Sequence, residues 1–204
     1  MSKPTTRIQQ QKRAIILAAG LDVFSKSGFR GATLDQIAEA AGMSKPNLLY
    51  YFPSKEAVHE TLLDQLLDMW LAPLHAISPS DTPIEELLDY AQSKLDLSRD
   101  YPRESRLFAN EILQGAPRLS GNMGALKTLV DEKVTLIQGW IDAGAIAQTD
   151  PYHLIFSIWA LTQHYADFDV QIRAVRGNDD PFDGASDHID RTFRRLLTPS
   201  RENT

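Results

Sequence analysis

The 204-residue chain has no cysteine. Disulfides and thiolate chemistry are excluded, and a zinc ribbon is not expected. It has no run of about 18 apolar residues and no charged, apolar, small-residue leader at its N-terminus. The expectation is a cytoplasmic protein with no membrane partner. Gly-rich phosphate loops, nucleophile elbows and paired-carboxylate motifs are missing, which argues against an enzyme. His164 and Asp167 stand three apart, but His59, His75, His153 and His188 do not complete a ligand set, so neither metal nor cofactor is expected. Alternating strand patterns and internal repeats are also lacking. What remains is a chain 43% apolar and 24% charged, ordinary for a globular protein, with helical periodicity along most of its length.

The net charge of −6 conceals an asymmetry. Residues 1–55 hold eight Lys/Arg and three Asp/Glu, a net of +5, and the remainder holds 13 and 24, a net of −11. A basic head on an acidic body suits a module that meets phosphates with one end only.

Within that head, residues 33–55 are the most informative stretch. Leu34, Ile37, Ala38 and Ala41 fall on one helical face, with Thr33 placed to cap them. Gly42 follows, where a helix must break. Ser44 can cap a second helix with Pro46 in its first turn, where a missing N–H is harmless. Leu48 and Phe52, four apart, can pack back on the first helix. This is a helix-turn-helix. Burial accounts for Leu48 and Phe52 but leaves Ser44, Lys45, Asn47, Tyr50 and Tyr51 on the outer face. Lys45 and Asn47 suit base edges or phosphates, and the hydroxyls suit phosphate oxygens. Lys55 adds a cation at the next helix N-terminus, itself an anion site.

The run Tyr50-Tyr51-Phe52-Pro53-Ser54-Lys55 resembles the DNA-binding domain of the TetR family of bacterial regulators, as do Ile15 to Phe29 upstream. The resemblance implies DNA contacts by Thr33, Ser44, Lys45, Pro46, Asn47, Tyr50, Tyr51 and Lys55. It also implies a homodimer on a near-palindromic double-stranded operator, and a helical body that binds an effector.

The rest of the chain reads as helices. Residues 1–6 suggest a mobile basic arm, and a first helix runs from Arg7 to Ser27, ended by Gly28. A fourth begins at Ser54 and proceeds through Trp70 toward Leu74, with Pro73 expected to kink or end it. Thr82-Pro83-Ile84-Glu85 reads as a capping box opening a fifth, which ends near Tyr101-Pro102. A sixth spans Arg103 to Gln114 and a seventh Met123 to Ala143. An eighth starts at Asp150-Pro151 and reaches Asp169. Residues 176–181 read as loop, and Ile189, Phe193, Leu196 and Leu197 mark the last helix. The expected fold is all-α with about nine helices: a helix-turn-helix domain at 1–53 and a helical effector-binding and dimerisation domain at 54–204.

The eighth helix is too polar for a pure core helix. Trp159, Gln163 and Asp167 share a face; Trp70 and Leu74 stand one turn apart on the fourth helix, and Phe108 lies on the sixth. An aromatic wall with one carboxamide suits a small planar ligand that hydrogen-bonds at its edge. The same residues also read as core or dimer contacts that satisfy one another. Trp70-Leu71-Ala72-Pro73-Leu74, Ser98 to Pro102, Gly115-Ala116-Pro117 and Thr162 to Phe168 are similar to the pyrimidine-utilisation regulators of the TetR family, which respond to uracil and thymine. That resemblance implies a pyrimidine-like effector touching Trp70, Leu74, Phe108, Trp159 and Gln163, to which the shared face adds Asp167, and most simply a repressor released by it. It weakens from Val170 to Ala185 and in the last helix. An alternative is a DNA-bound factor with no small ligand whose acidic body binds a protein.

Overall fold

A computed structural model describes residues 6–119, 123–177 and 179–199. Among them are ten α-helices and no strand: α1 (Arg7–Gly31), α2 (Leu34–Ala40), α3 (Lys45–Tyr51), α4 (Lys55–Ala76), α5 (Pro83–Asp100), α6 (Pro102–Leu113), α7 (Met123–Asp142), α8 (Pro151–Asp167), α9 (Asp169–Arg176) and α10 (Ala185–Leu197). None of these helices is long and apolar enough to cross a membrane.

Two compact units form. The first is Met1–Leu67 with Arg106–Ser120; the second is Asp68–Ser105 with Gly121–Thr204. The start of α4 and the end of α6 thus group with the first three helices. In the first unit α1, α2 and α3 pack on one another around buried Ile16, Phe24, Ile37, Leu48 and Phe52. Gly20 lets α1 approach α4, since a Cβ there would stand 2.8 Å from the Val58 side chain.

Local chemistry sets the helix ends. The Thr33 hydroxyl accepts from the Gln36 N–H while the Gln36 side chain accepts from the Thr33 N–H, a reciprocal cap. Gly42 turns the chain at φ 63°, a conformation that costs glycine little. The Ser44 hydroxyl accepts from the Asn47 N–H to cap α3. In α1, Gly28 interrupts the helix with φ 65°. Thr6, expected within a mobile arm, instead caps α1 in a reciprocal pair with Gln9; the rest of that arm lies outside the described residues.

In the second unit α5 packs along α8 and α10, and α7 packs on α8. The core gathers Leu87, Ala91, Ile137, Ile155, Ile158 and Phe193. Asp150 caps α8 by accepting from the His153 N–H at 2.9 Å.

Three expectations about elements need correction. Pro73 does not stop α4, which continues to Ala76; in the last turn it removes only one hydrogen bond. Thr82 makes no side-chain cap on α5; its hydroxyl and N–H pair with Ser80 at 3.2 and 3.1 Å, and Glu85 is held by Arg194 through contacts of 2.6 and 3.1 Å. Finally α9 is an additional helix. It buries no residue, so it carries no core stripe by which periodicity reveals a helix.

Candidate nucleic-acid interface and effector site

In the first unit, α3 buries Leu48 and turns Lys45, Asn47 and Tyr50 to solvent. Tyr50 is 71% exposed, with its ring edge-on to Tyr51 at 5.0 Å. Ser44 and Pro46 are exposed at the start of the helix, and Thr33 is exposed at the start of α2. The expected DNA-facing residues are therefore largely presented together on the solvent side of α3 and at the two caps. Tyr51 is half-buried, and its carbonyl accepts from Arg13 Nη1 at 2.7 Å. The Arg13 guanidinium lies 4.0 Å from the Phe52 ring centroid and so anchors the C-terminal end of α3 to α1.

Two charged residues behave differently from a free phosphate contact. The Lys55 ammonium donates to the Phe29 and Ala32 carbonyls, each at 2.8 Å, and sits 4.3 Å over the Phe29 ring. An ammonium has three donors, and two are spent holding the α1–α2 connection to the start of α4. The Lys45 ammonium meets Asp35 Oδ2 at 2.9 Å. Sequence reading missed that contact, because the partners sit on different helices.

His59 is another residue that spacing alone did not single out. It is buried and packs edge-on against Phe24 and Phe29, at 4.7 and 4.9 Å. Its Nδ1 has no partner. Burial, with the Arg118 and Lys55 charges nearby, lowers its pKa to about 4. Arg118 stacks 3.4 Å from the Phe29 centroid and is held by Glu111, which accepts the Arg118 N–H at 2.8 Å.

Five of the six expected effector residues belong to the second unit, and Phe108 belongs to the first. Trp70 is buried, and its indole Nε1 has no acceptor. Leu74 is fully buried in the core. Trp159 is half-buried, packs against that core and donates from Nε1 to the Tyr90 hydroxyl at 2.6 Å. Burial raises the Tyr90 pKa, so the phenol stays neutral. Gln163 is half-buried one turn from Trp159. Asp167 accepts from the Ser105 hydroxyl at 2.6 Å.

Lys94 was overlooked in the sequence. It is 2% exposed, with Nζ 3.4 Å from the Trp70 carbonyl and 5.0 Å from the Trp70 ring centroid. Burial lowers its pKa to about 7, against the opposing pull of Asp167. The signal was present: Lys94 lies seven residues after Leu87 and three after Ala91, on the apolar face of α5.

Two family models match consecutive stretches of the chain. Residues 16–62 match the family described as bacterial regulatory proteins, tetR family. Residues 63–200 match the YcdC-like protein, C-terminal region. The HTH-type transcriptional regulator RutR of Escherichia coli strain K12 is 54% identical over 173 residues, 84% of this chain and 82% of that protein. Among solved structures, a TetR-like transcriptional regulator from Rhodococcus sp. RHA1 superposes with TM-score 0.67 at 20% identity, covering 93% of this chain and 96% of that one. Salmonella enterica GusR gives 0.62 at 17% identity, covering 97% and 98%. At such identities these two likenesses speak for the fold.

Proposed function

Because the chain belongs to the TetR family of bacterial regulators and is a DNA-binding transcriptional regulator like RutR, we propose that it is a homodimeric repressor. In this reading a small planar ligand of the pyrimidine class, with uracil or thymine the first candidates, releases it from its operator. The observation that carries the ligand half is Trp70: a buried indole N–H without an acceptor, on the same unit as Trp159 and Gln163. A buried donor left unpaired costs about 1–3 kcal/mol, and a ring carbonyl would remove that cost. A planar heterocycle also has faces for the two indoles and an edge for the carboxamide.

The DNA half rests on α3. Ser44, Lys45, Asn47 and Tyr50 enter the major groove, and Thr33 and Pro46 flank them at the helix starts. Two copies place their α3 helices in successive grooves, roughly 34–36 Å apart, on a near-palindromic site. Tyr152 and Phe156 on α8 and Leu196 on α10 are exposed apolar side chains, suited to pairing those helices between two copies.

The test is a thermal-shift titration with uracil, thymine and a panel of cyclic amides. A ligand that binds only the folded state adds about 2.7 kcal/mol at 100 times its Kd, a readily measured rise in Tm. The same ligand must then release the protein from operator DNA. No shift across the panel removes the pyrimidine reading and favours a body that binds a protein partner.

A further inference from the structure

The second unit contains a polar cluster whose hydrogen-bonding capacity is unbalanced. Lys94 on α5 brings two N–H donors as the amine and three as the ammonium, and the hydrogen bond its Nζ makes is to the Trp70 carbonyl, at the long distance of 3.4 Å. Trp70 Nε1 brings a further buried donor with no partner. The nearby carboxylate, Asp167, already accepts from Ser105 at 2.6 Å. A second buried lysine is better partnered: Lys133 donates to the Ile77 carbonyl and to Glu132, both at 3.0 Å. Lys94 has nothing comparable.

The Trp70 indole N–H has no acceptor and Lys94 has one long one, and a molecule that brings acceptors would serve both. Resting on the effector reading above, we infer that Lys94 is a ligand-contacting residue of the effector site. The ligand it selects is a cyclic imide or ureide, with one carbonyl oxygen for the Trp70 indole N–H and another for the Lys94 amine. A ring with a single carbonyl leaves one of the two donors unmet, and an apolar ring leaves both.

The same geometry has a proton signature. Burial holds Lys94 near pH 7 in the free protein. Among the described residues the charge that acts on it is the Asp167 carboxylate of α8, and the uncharged Trp70 carbonyl and ring lie beside it. Near pH 8 most copies carry the neutral amine. A carbonyl oxygen arriving at Nζ favours the ammonium, so binding takes up a fraction of a proton.

The experiment is calorimetric titration of the full-length protein with uracil, thymine and hydantoin near pH 8. It is run in two buffers of different ionisation enthalpy, for the wild-type protein and for Lys94→Met. Wild type is expected to bind with proton uptake. Lys94→Met keeps the aliphatic stem and should melt no lower, yet bind about 30-fold or more weakly, as loss of a charged hydrogen bond requires, without proton uptake. A Met variant that binds within threefold of wild type overturns the Lys94 assignment alone. Weakened binding with no proton uptake in wild type assigns Lys94 a structural role and also overturns it. Wild type that binds none of the three ligands overturns the pyrimidine reading and this ligand class together. Should Lys94→Met fail to fold, Lys94→Gln takes its place: loss of the wild-type proton uptake supports the assignment, and an unchanged uptake overturns it.

Discussion

His59 shows how one buried side chain ties the first unit to pH. Its ring is edge-on to Phe24 and Phe29, and the neighbouring Arg118 and Lys55 charges oppose a third cation there. The folded state therefore keeps it neutral down to a pKa of about 4, against an unfolded value of 6.5. Above pH 6.5 neither state holds the proton and His59 has no effect. As pH falls from 6.5 toward 4 the unfolded chain takes up the proton first, and stability is lost through this window. The loss from this residue approaches about 3 kcal/mol, at 1.36 kcal/mol for each pKa unit. Urea midpoints at neutral pH and near pH 4.5 check it: His59→Leu should lose less stability on acidification than wild type does. Equal acid sensitivity in the two proteins would place the charge elsewhere. Lys55 follows a related logic. Its donors are taken by the Phe29 and Ala32 carbonyls, so Lys55→Ala should lower the Tm and leave the salt slope of DNA binding nearly unchanged. A slope smaller by about 0.9 would restore it as a phosphate contact.

At the scale of elements, the recognition helix was legible because its determinants are local. Thr33, Gly42, Ser44 and Pro46 act within four residues of the groups they cap or turn, and such chemistry reads directly from a linear string. What was not legible depends on partners distant in the chain. Glu85 has the spacing of a capping box, but Arg194, over a hundred residues away, takes its carboxylate. Lys55 has the position of an anion contact, but carbonyls 23 and 26 residues upstream claim it. Helix α9 buries nothing, and the burial of Lys94 depends on Trp70, 24 residues upstream. On α3 itself the functional test separates residue roles. Asn47→Ala should cost roughly 1–3 kcal/mol on the operator and little on random duplex, if the carboxamide reads a base edge. Lys45 must first leave Asp35, which it meets at 2.9 Å. Asp35→Asn should therefore tighten binding to random DNA more than to operator, and lower the ratio between them. Competition binding with operator and scrambled duplexes reads both effects, and an unchanged ratio in Asp35→Asn shows that Asp35 does not restrain Lys45.

For the whole molecule the question is how occupancy of one site is felt at the other. The helix α4 is continuous from Lys55 to Ala76. It carries at one end a residue that clamps the α1–α2 connection and near the other the indole proposed to meet the effector. The indole proposed to meet the effector thus lies on the same helix as Lys55. If the effector lowers operator affinity by some factor, operator DNA must lower effector affinity by the same factor, because both are one coupling free energy. A tenfold release corresponds to about 1.4 kcal/mol, and the effector achieves it only by binding the DNA-free state better by that amount. Titrating effector into free protein and into the operator complex should give Kd values whose ratio equals the loss of operator affinity measured at saturating effector. Trp70→Phe keeps the aromatic packing and removes the N–H. It should weaken the effector while leaving operator affinity without effector close to wild type. If Trp70→Phe weakens the operator as strongly as the effector, the indole supports the fold of α4 rather than sensing the ligand, and the signal must enter through another residue of the second unit.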